Sequence, residues 1–170
     1  MSPPTSELIH MELCSYVPGA IGRVAELHGI YYYENWNFGL FFEAKVASEL
    51  SEFLQRFDET QDGFWTVCVD DRVEGSVAID GMNAEKGGAH LRWLILSEKI
   101  RGRGMGNRLM DEAVSFCRKK GYKRVYLWTF EGLHAARHLY EKFGFRLKEQ
   151  LEGTQWGTKV LEQKFVLDLG

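Results

Sequence analysis

Arg101-Gly102-Arg103-Gly104-Met105-Gly106 is the stretch on which the fold turns. It follows an apolar run, Leu91-Arg92-Trp93-Leu94-Ile95-Leu96, and opens into a helical pattern. Met105, Leu109, Ala113 and Cys117 fall four residues apart, and Met110 and Val114 widen the stripe. Arg118-Lys119-Lys120-Gly121 closes that helix, with cations at its negative end and a glycine just beyond. A central strand, a glycine turn and an amphipathic helix are therefore expected in succession. The glycines allow close backbone approach. The helix start offers unpaired N–H groups and partial positive charge, and Arg101, Arg103 and Arg108 add cations. Together they describe a pocket for a phosphate group. A plain tight turn with Gly102 as connector is the simpler alternative, but it needs neither three glycines nor three arginines.

Two common phosphate loops fail on spacing. A Walker A loop requires GxxxxGK and then Ser or Thr, whereas Asn107 and Arg108 follow Gly106. A dinucleotide fingerprint requires GxGxxG, with an acidic residue ending the next strand. Here the third glycine comes at 106, position 107 is Asn, and Thr129-Phe130 end the next strand.

Working outward, Leu8–Cys14 reads as a first strand. A helix opens at Pro18, carries Ile21, Val24, Ala25 and His28 at helical spacing, and closes near Gly29. Tyr31-Tyr32-Tyr33-Glu34-Asn35-Trp36-Asn37-Phe38-Gly39 reads as an aromatic connection, and a second helix spans Phe42–Phe57. Phe64–Val69 and Val73–Ile79 form a hairpin about Asp70-Asp71. His90–Leu96 is the central strand, with His90 and Arg92 expected on one face and Leu91 and Trp93 on the other. Beyond the glycine helix come a strand at Lys123–Thr129, a short helix at His134–Phe143 with Ala135, Ala136, Leu139 and Tyr140 inward, and closing strands at Phe145–Leu151 and Lys159–Leu169. The order β-α-α-β-β-β-α-β-α-β-β implies an α/β (α+β) fold with a mixed sheet flanked by helices.

Composition bounds the function. The chain has 170 residues, 45% hydrophobic and 26% charged, which suits one globular domain over 8–170 behind a loose tail at 1–7. A net charge of −3 excludes the broad basic face of a nucleic-acid binder. Cys14, Cys68 and Cys117 make no CxxC pair and no metal pattern, so reduced thiols, a cytoplasmic location and no metal are expected. The first residues lack the basic and apolar regions of a signal peptide. No apolar run approaches the ~20 residues of a membrane span.

Arg101-x-x-Gly104-x-Gly106 between a central strand and an amphipathic helix resembles motif A of the GCN5-related N-acetyltransferase (GNAT) family. Ala136-x-x-Leu139-Tyr140-x-x-x-Gly144-Phe145 resembles that family's motif B, at the matching distance downstream. The element order is also the family's, so the resemblance covers Ile9–Leu169. It implies acetyl-CoA as donor and a primary amine as acceptor, attacked directly and without a metal. The pyrophosphate would then lie against Arg101, Gly102, Arg103, Gly104, Met105, Gly106, Asn107 and Arg108. By the same resemblance the central strand parts from its neighbour. The pantetheine arm fills the gap along Leu94, Ile95 and Leu96, and the Leu96 N–H faces the thioester oxygen. Tyr140 stands where the family places a tyrosine near the CoA sulfur, to protonate the departing thiolate or simply to hydrogen-bond to it. Read alone, Tyr140 is better taken as a core aromatic on a short helix. Many family members carry a cofactor-holding asparagine seven residues before this tyrosine; Leu133 stands there here, leaving that contact to backbone or Thr129.

The acceptor is less legible. An alkylamine of pKa about 10.4 is only ~1 part in 10³ neutral at pH 7, so a base or a water chain is required. Glu34, Glu98, Glu131 and His134 are the candidates, each also readable as a surface group. By resemblance the aromatic connection borders the acceptor site. Tyr31, Glu34 and Trp36 would hold a cationic amine there, or the aromatics would simply pack the two helices together. Gly153–Thr158 would close the same site, form a long hairpin loop, or make a homodimer contact. Across Gly19–Val24, the aromatic segment, Leu127–Phe130 and Gly153–Gly157, the chain resembles the acetyltransferase domain of some bacterial MarR-type regulators, here expected in free-standing form. A non-catalytic acetyl-CoA-binding sensor is the competing reading.

Overall fold

In a computed structural model of the protein, residues 10–170 are described; the expected tail at 1–7 and the start of the first strand lie outside them. Eleven elements follow in the expected order: β1 Met11–Cys14, α1 Ala20–Trp36, α2 Leu40–Gln55, β2 Gly63–Val69, β3 Arg72–Asp80, β4 Ala89–Leu96, α3 Met105–Lys120, β5 Arg124–Phe130, α4 His134–Lys142, β6 Arg146–Gly153 and β7 Val160–Asp168. The strands form one seven-stranded sheet in the order β1-β2-β3-β4-β5-β7-β6. Only β4 and β5 pair in parallel; the other neighbours are antiparallel. The β2–β3 hairpin turns on Asp70 and Asp71, both with left-handed φ (50° and 63°), as the twist of a two-residue loop requires.

Two apolar layers cover the sheet. On one face α3 brings Met105, Leu109, Met110, Ala113 and Cys117 against Val77, Ile79, Leu91, Val125 and Leu127. On the other, α1, α2 and the link between them bring Val24, Phe38, Phe42, Val46, Leu50 and Phe53 against Phe64, Ala78, Trp93 and Phe130.

The structure corrects the first helix. Gly29 does not end it. Helix α1 runs on to Trp36, and Asn37 caps it in the left-handed region, its N–H reaching the Tyr32 and Tyr33 carbonyls. Gly29 is buried where α1 crosses α2, and a Cβ there would stand 2.5 Å from Glu43 Oε1. It serves close helix approach rather than termination. Most of the aromatic connection is therefore helix, and only Asn37–Gly39 link α1 to α2.

The second correction concerns β4. Leu91 packs on the α3 face but Trp93 packs on the α1–α2 face. The register against β3 slips between Ser76↔Ile95 and Ala78↔Arg92, so two residues, Trp93 and Leu94, stand opposite Val77. Trp93 takes φ 52° at this bulge, and its carbonyl accepts the Ser76 hydroxyl at 2.7 Å. A bulge inserts one residue and reverses the facing of the residues beyond it.

A largely buried ion pair ties α1 to the sheet, beside an exposed one between Glu26 and Arg72. Arg23 donates through Nε to the Val73 carbonyl at 2.8 Å and through Nη2 to Glu74 Oε2 at 2.9 Å. The Glu74 side chain is only 4% exposed, so loss of its partner would strand a buried charge. Arg23→Met is expected to cost about 3–5 kcal/mol, read as a lower urea midpoint. Adding Glu74→Gln to that variant should recover a large part of the loss.

Candidate active site

Strands β4 and β5 pair only at Ala89↔Val125 and His90↔Tyr126. Beyond that point they diverge, and the sheet opens into a notch. A cavity of about 400 Å³ lies there, lined by Leu91–Leu94 of β4, Leu127–Phe130 of β5, Leu133 and Tyr140, and on its other side by α1 and α2. The Ser97 N–H donates to the Glu74 carbonyl at 2.7 Å. Antiparallel alternation from that bond turns the Ile95 amide toward β3 and the Leu96 amide toward the gap. Leu94 lines the cavity itself, whereas Ile95 and Leu96 lie outside its wall.

The glycine loop stands at the end of β4. Gly102 and Gly104 hold φ 75° and 78°, and a Cβ built on either meets nothing within 4 Å. Their need for glycine is thus conformational, with open space where a side chain would stand. Gly106 differs: a Cβ there would lie 3.2 Å from Leu139 Cδ2 and 3.4 Å from Leu96 Cδ1, inside the protein. It lets α3 sit close to β4 and α4. Among the described residues no backbone acceptor is found for the N–H groups of Arg101 through Asn107; the first donation after Ile100 is Arg108 N–H to the Gly104 carbonyl. Such a run of amides without backbone acceptors at a helix start suits an anion.

The side chains of the loop divide the work. Arg101 folds back, donating through Nε to the Leu96 carbonyl at 3.2 Å and lying 4.9 Å from the Tyr31 ring centre. Arg103 and Arg108 are exposed, and no ion pair engages them among the described residues. Met105 is buried in the α3 core. Asn107 Oδ1 accepts Lys142 Nζ at 2.7 Å, tying α3 to α4.

Tyr140 is buried against Phe145 and Phe165 and reaches the cavity wall. Burial pushes its phenol well above the ordinary value, so it stays protonated at neutral pH. Tyr32 faces the same space. Its phenol is also raised, chiefly by burial, with Tyr140 and Tyr31 adding and Arg101 opposing.

Of the residues expected to meet an acceptor, Tyr31, Glu34 and Trp36 do not line the cavity. Tyr31 lies under Arg101, Glu34 is exposed, and Trp36 packs on Phe130 with ring centres 4.9 Å apart. The same helix instead presents His28 and Tyr32, four residues apart. Carrying the helical period through Gly29 would have found them. The four candidate bases, Glu34, Glu98, Glu131 and His134, are all exposed and off the wall. Glu49 is the carboxylate that lines it, with Lys45, His90 and Arg92. The Gly153–Thr158 segment does fold over this region. Gln155 and Trp156 line the cavity, Trp156 lies 5.6 Å from Phe130, and a Cβ on Gly157 would stand 2.6 Å from Phe41 Cδ1.

Both cavity histidines are neutral. Burial lowers His28 to about 4, opposed by its Nδ1 contact of 2.8 Å with the Val24 carbonyl. Burial, then Arg92, lowers His90 to about 3, and its ring stacks on Tyr126 at 4.5 Å. Among the described residues, no cluster of three or more His, Cys, Asp or Glu could hold a metal ion, and no helix is long and apolar enough to cross a membrane.

Comparison with known proteins gives this geometry a context. Residues 22–145 match the family model described as the acetyltransferase (GNAT) family. An uncharacterized N-acetyltransferase of Methanocaldococcus jannaschii is 32% identical over 113 residues, which cover 64% of this chain and 49% of that protein. The chain thus spans about half the length of that relative. The crystal structure of an acetyltransferase from Streptococcus agalactiae superposes with a TM-score of 0.72 at 20% identity, covering 94% of this chain and 98% of that one. YncA of Salmonella typhimurium, solved with its cofactor acetyl-CoA, superposes with a TM-score of 0.72 at 13% identity, covering 94% of each chain. At these identities the structural likeness concerns the fold.

The histidines make stability depend on pH. Between pH 6.5 and 4 the unfolded chain binds protons at His28 and His90 that the folded chain refuses. Stability should therefore be flat above about pH 6.5 and fall as pH drops below it. His28 alone accounts for on the order of 3 kcal/mol. Urea unfolding at pH 7 and pH 4.5 measures the effect, and His28→Phe should shrink the difference between the two.

Proposed function

The chain belongs to the acetyltransferase (GNAT) family, and from that premise we propose that it moves an acetyl group from acetyl-CoA to a primary amine by direct attack. The parted strands carry this reading, because they open a slot between the glycine loop and a cavity walled by Tyr140. The residues present fit acetyl-CoA. Unpaired amides from Arg101 to Asn107, with open space at Gly102 and Gly104, suit a pyrophosphate. Arg103 and Arg108 are the cations to neutralise it. Arg101 serves more by fixing the end of β4 against Tyr31. Thr129 and Leu133 line the slot where an asparagine is common in the family.

Acetyl-CoA supplies the activated acetyl thioester. Along β4 the Leu96 N–H faces the gap and donates to the thioester oxygen, where negative charge grows as the amine attacks. Tyr140, protonated at neutral pH and placed on the cavity wall, hydrogen-bonds to the departing sulfur and supplies the proton as negative charge builds there. Two protons leave the ammonium overall. One goes to solvent before attack, at a cost of roughly 4 kcal/mol at pH 7. The other is released as the N–C bond replaces the C–S bond, matching the proton that the sulfur gains. With Glu34, Glu98, Glu131 and His134 all exposed, we assign the first proton to water at the cavity mouth. Neutral His28 and His90 can accept hydrogen bonds on the way.

Two measurements test the reading. Acetyl-CoA at ~100 times its Kd should add about 2.7 kcal/mol to stability and raise the melting temperature; no rise removes it. Tyr140→Phe should lower kcat by roughly ten-fold or more, with little change in the KM for acetyl-CoA. An unchanged kcat would remove the acid role. Ligand-induced stabilisation without CoA release from any amine would identify a sensor instead.

A further inference from the structure

The wall contributed by α2 and β4 bears on which amine is taken. Lys45 and Glu49 stand one helical turn apart on α2, and Arg92 reaches them from β4. Lys45 Nζ lies 2.9 Å from Glu49 Oε1, and Arg92 Nη2 lies 3.0 Å from Glu49 Oε2. Each Glu49 oxygen is thus engaged by one cation, and the trio carries a net single positive charge. An ammonium has three donors and a guanidinium five, so both cations keep N–H groups beyond those given to Glu49. All three side chains remain 22–34% exposed at the cavity mouth. The Arg92 guanidinium is also held over the Trp93 ring, 4.1 Å from its centre. A planar fork fixed in this way is built to receive a carboxylate.

Other groups facing this cluster do not cancel its charge. His90 is neutral. Asp80, which acts on His90 together with Arg92, is paired with Arg56 Nη2 at 2.5 Å, and the buried Glu162 on β7 is turned to Gln155, accepting its backbone N–H at 3.1 Å and its Nε2 at 2.6 Å. That arrangement leaves the Gln155 side-chain carbonyl as an acceptor on another part of the same wall. Between the two polar regions the lining is apolar and aromatic, with Phe42, Val46, Phe130 and Trp156. About 400 Å³ accommodates a small molecule.

We propose that the acceptor is a small amino acid with an apolar side chain, its carboxylate held by Arg92 and Lys45 and its amine turned toward Tyr140. The assignment rests on the acetyl-transfer reading and adds the acceptor's chemical class. The bulge at Trp93 supports it, because it brings the Trp93 ring onto the face toward α2 that Arg92, paired with Ala78 before the bulge, already occupies.

The test is a panel of apolar amino acids, each beside its carboxamide and its decarboxylated amine, assayed by CoA release from acetyl-CoA. The free acid should exceed both analogues in kcat/KM by roughly ten-fold or more, the worth of a hydrogen bond to a charged group. Arg92→Gln and, separately, Lys45→Gln should raise the KM for the acid and bring its advantage over the decarboxylated amine toward one. Acetyl-CoA-induced stabilisation confirms that each variant is folded. The proposal is overturned if the wild-type protein prefers the neutral-ended amines, if both variants keep the wild-type preference, or if no amino acid releases CoA. Failure of acetyl-CoA itself to bind would instead remove the transfer reading beneath it.

Discussion

Strands β4 and β5 stay in register for two residue pairs and then let go. The rest of the molecule is arranged around that short ladder. A fully paired sheet would leave no room between its central strands, whereas a sheet parted near its middle exposes backbone amides that must find partners. The bulge at Trp93 belongs to the same constraint. Where β4 stops matching β5, it also slips against β3, and the Trp93 carbonyl is taken by the Ser76 hydroxyl. The parted strands are held from both faces. The α3 core seals one side, and the aromatic layer of α1 and α2 bounds the other.

Glycines serve that arrangement in two different ways. Gly102 and Gly104 supply left-handed backbone and open space at the start of α3. Gly29 and Gly106 have ordinary backbone and supply closeness, one between α1 and α2, the other between α3 and its neighbours Leu96 and Leu139. The first pair leaves open space at a helix start, and the second lets helices and strand pack closely on either side of the sheet. Charge follows the same division. Arg103 and Arg108 stay exposed at the loop, while Arg23, paired with buried Glu74, fastens the helix that carries His28 and Tyr32.

The order of elements and the glycine loop are legible directly, because each depends on residues close together in the chain. Helical stripes, hairpin aspartates and the Gly144 stop are local signals, and Tyr140 follows from its spacing to Gly144 and Phe145. The aromatic stretch is harder. Gly29 looks like a helix end because a glycine commonly ends one. Its role is set by Glu43 on another helix, which no local pattern reveals. Ending the helix at Gly29 puts the expected contacts at Tyr31, Glu34 and Trp36, whereas the continuous helix turns His28 and Tyr32 to the cavity.

By itself the sequence determined the element order, the amphipathic α3, the anion-ready loop and the placement of Tyr140 after β5. Those are consequences of short-range periodicity and backbone freedom. Tertiary structure alone decided which residues share the cavity. The Trp93 bulge arises from register against β3, and register is a relation between strands. It separates Leu91 from Trp93 by the thickness of the sheet and sets the Trp93 ring beneath Arg92, whose partner Glu49 lies 43 residues earlier in the chain. A period of two along β4 predicts the opposite pairing of faces, since one inserted residue is enough to reverse it.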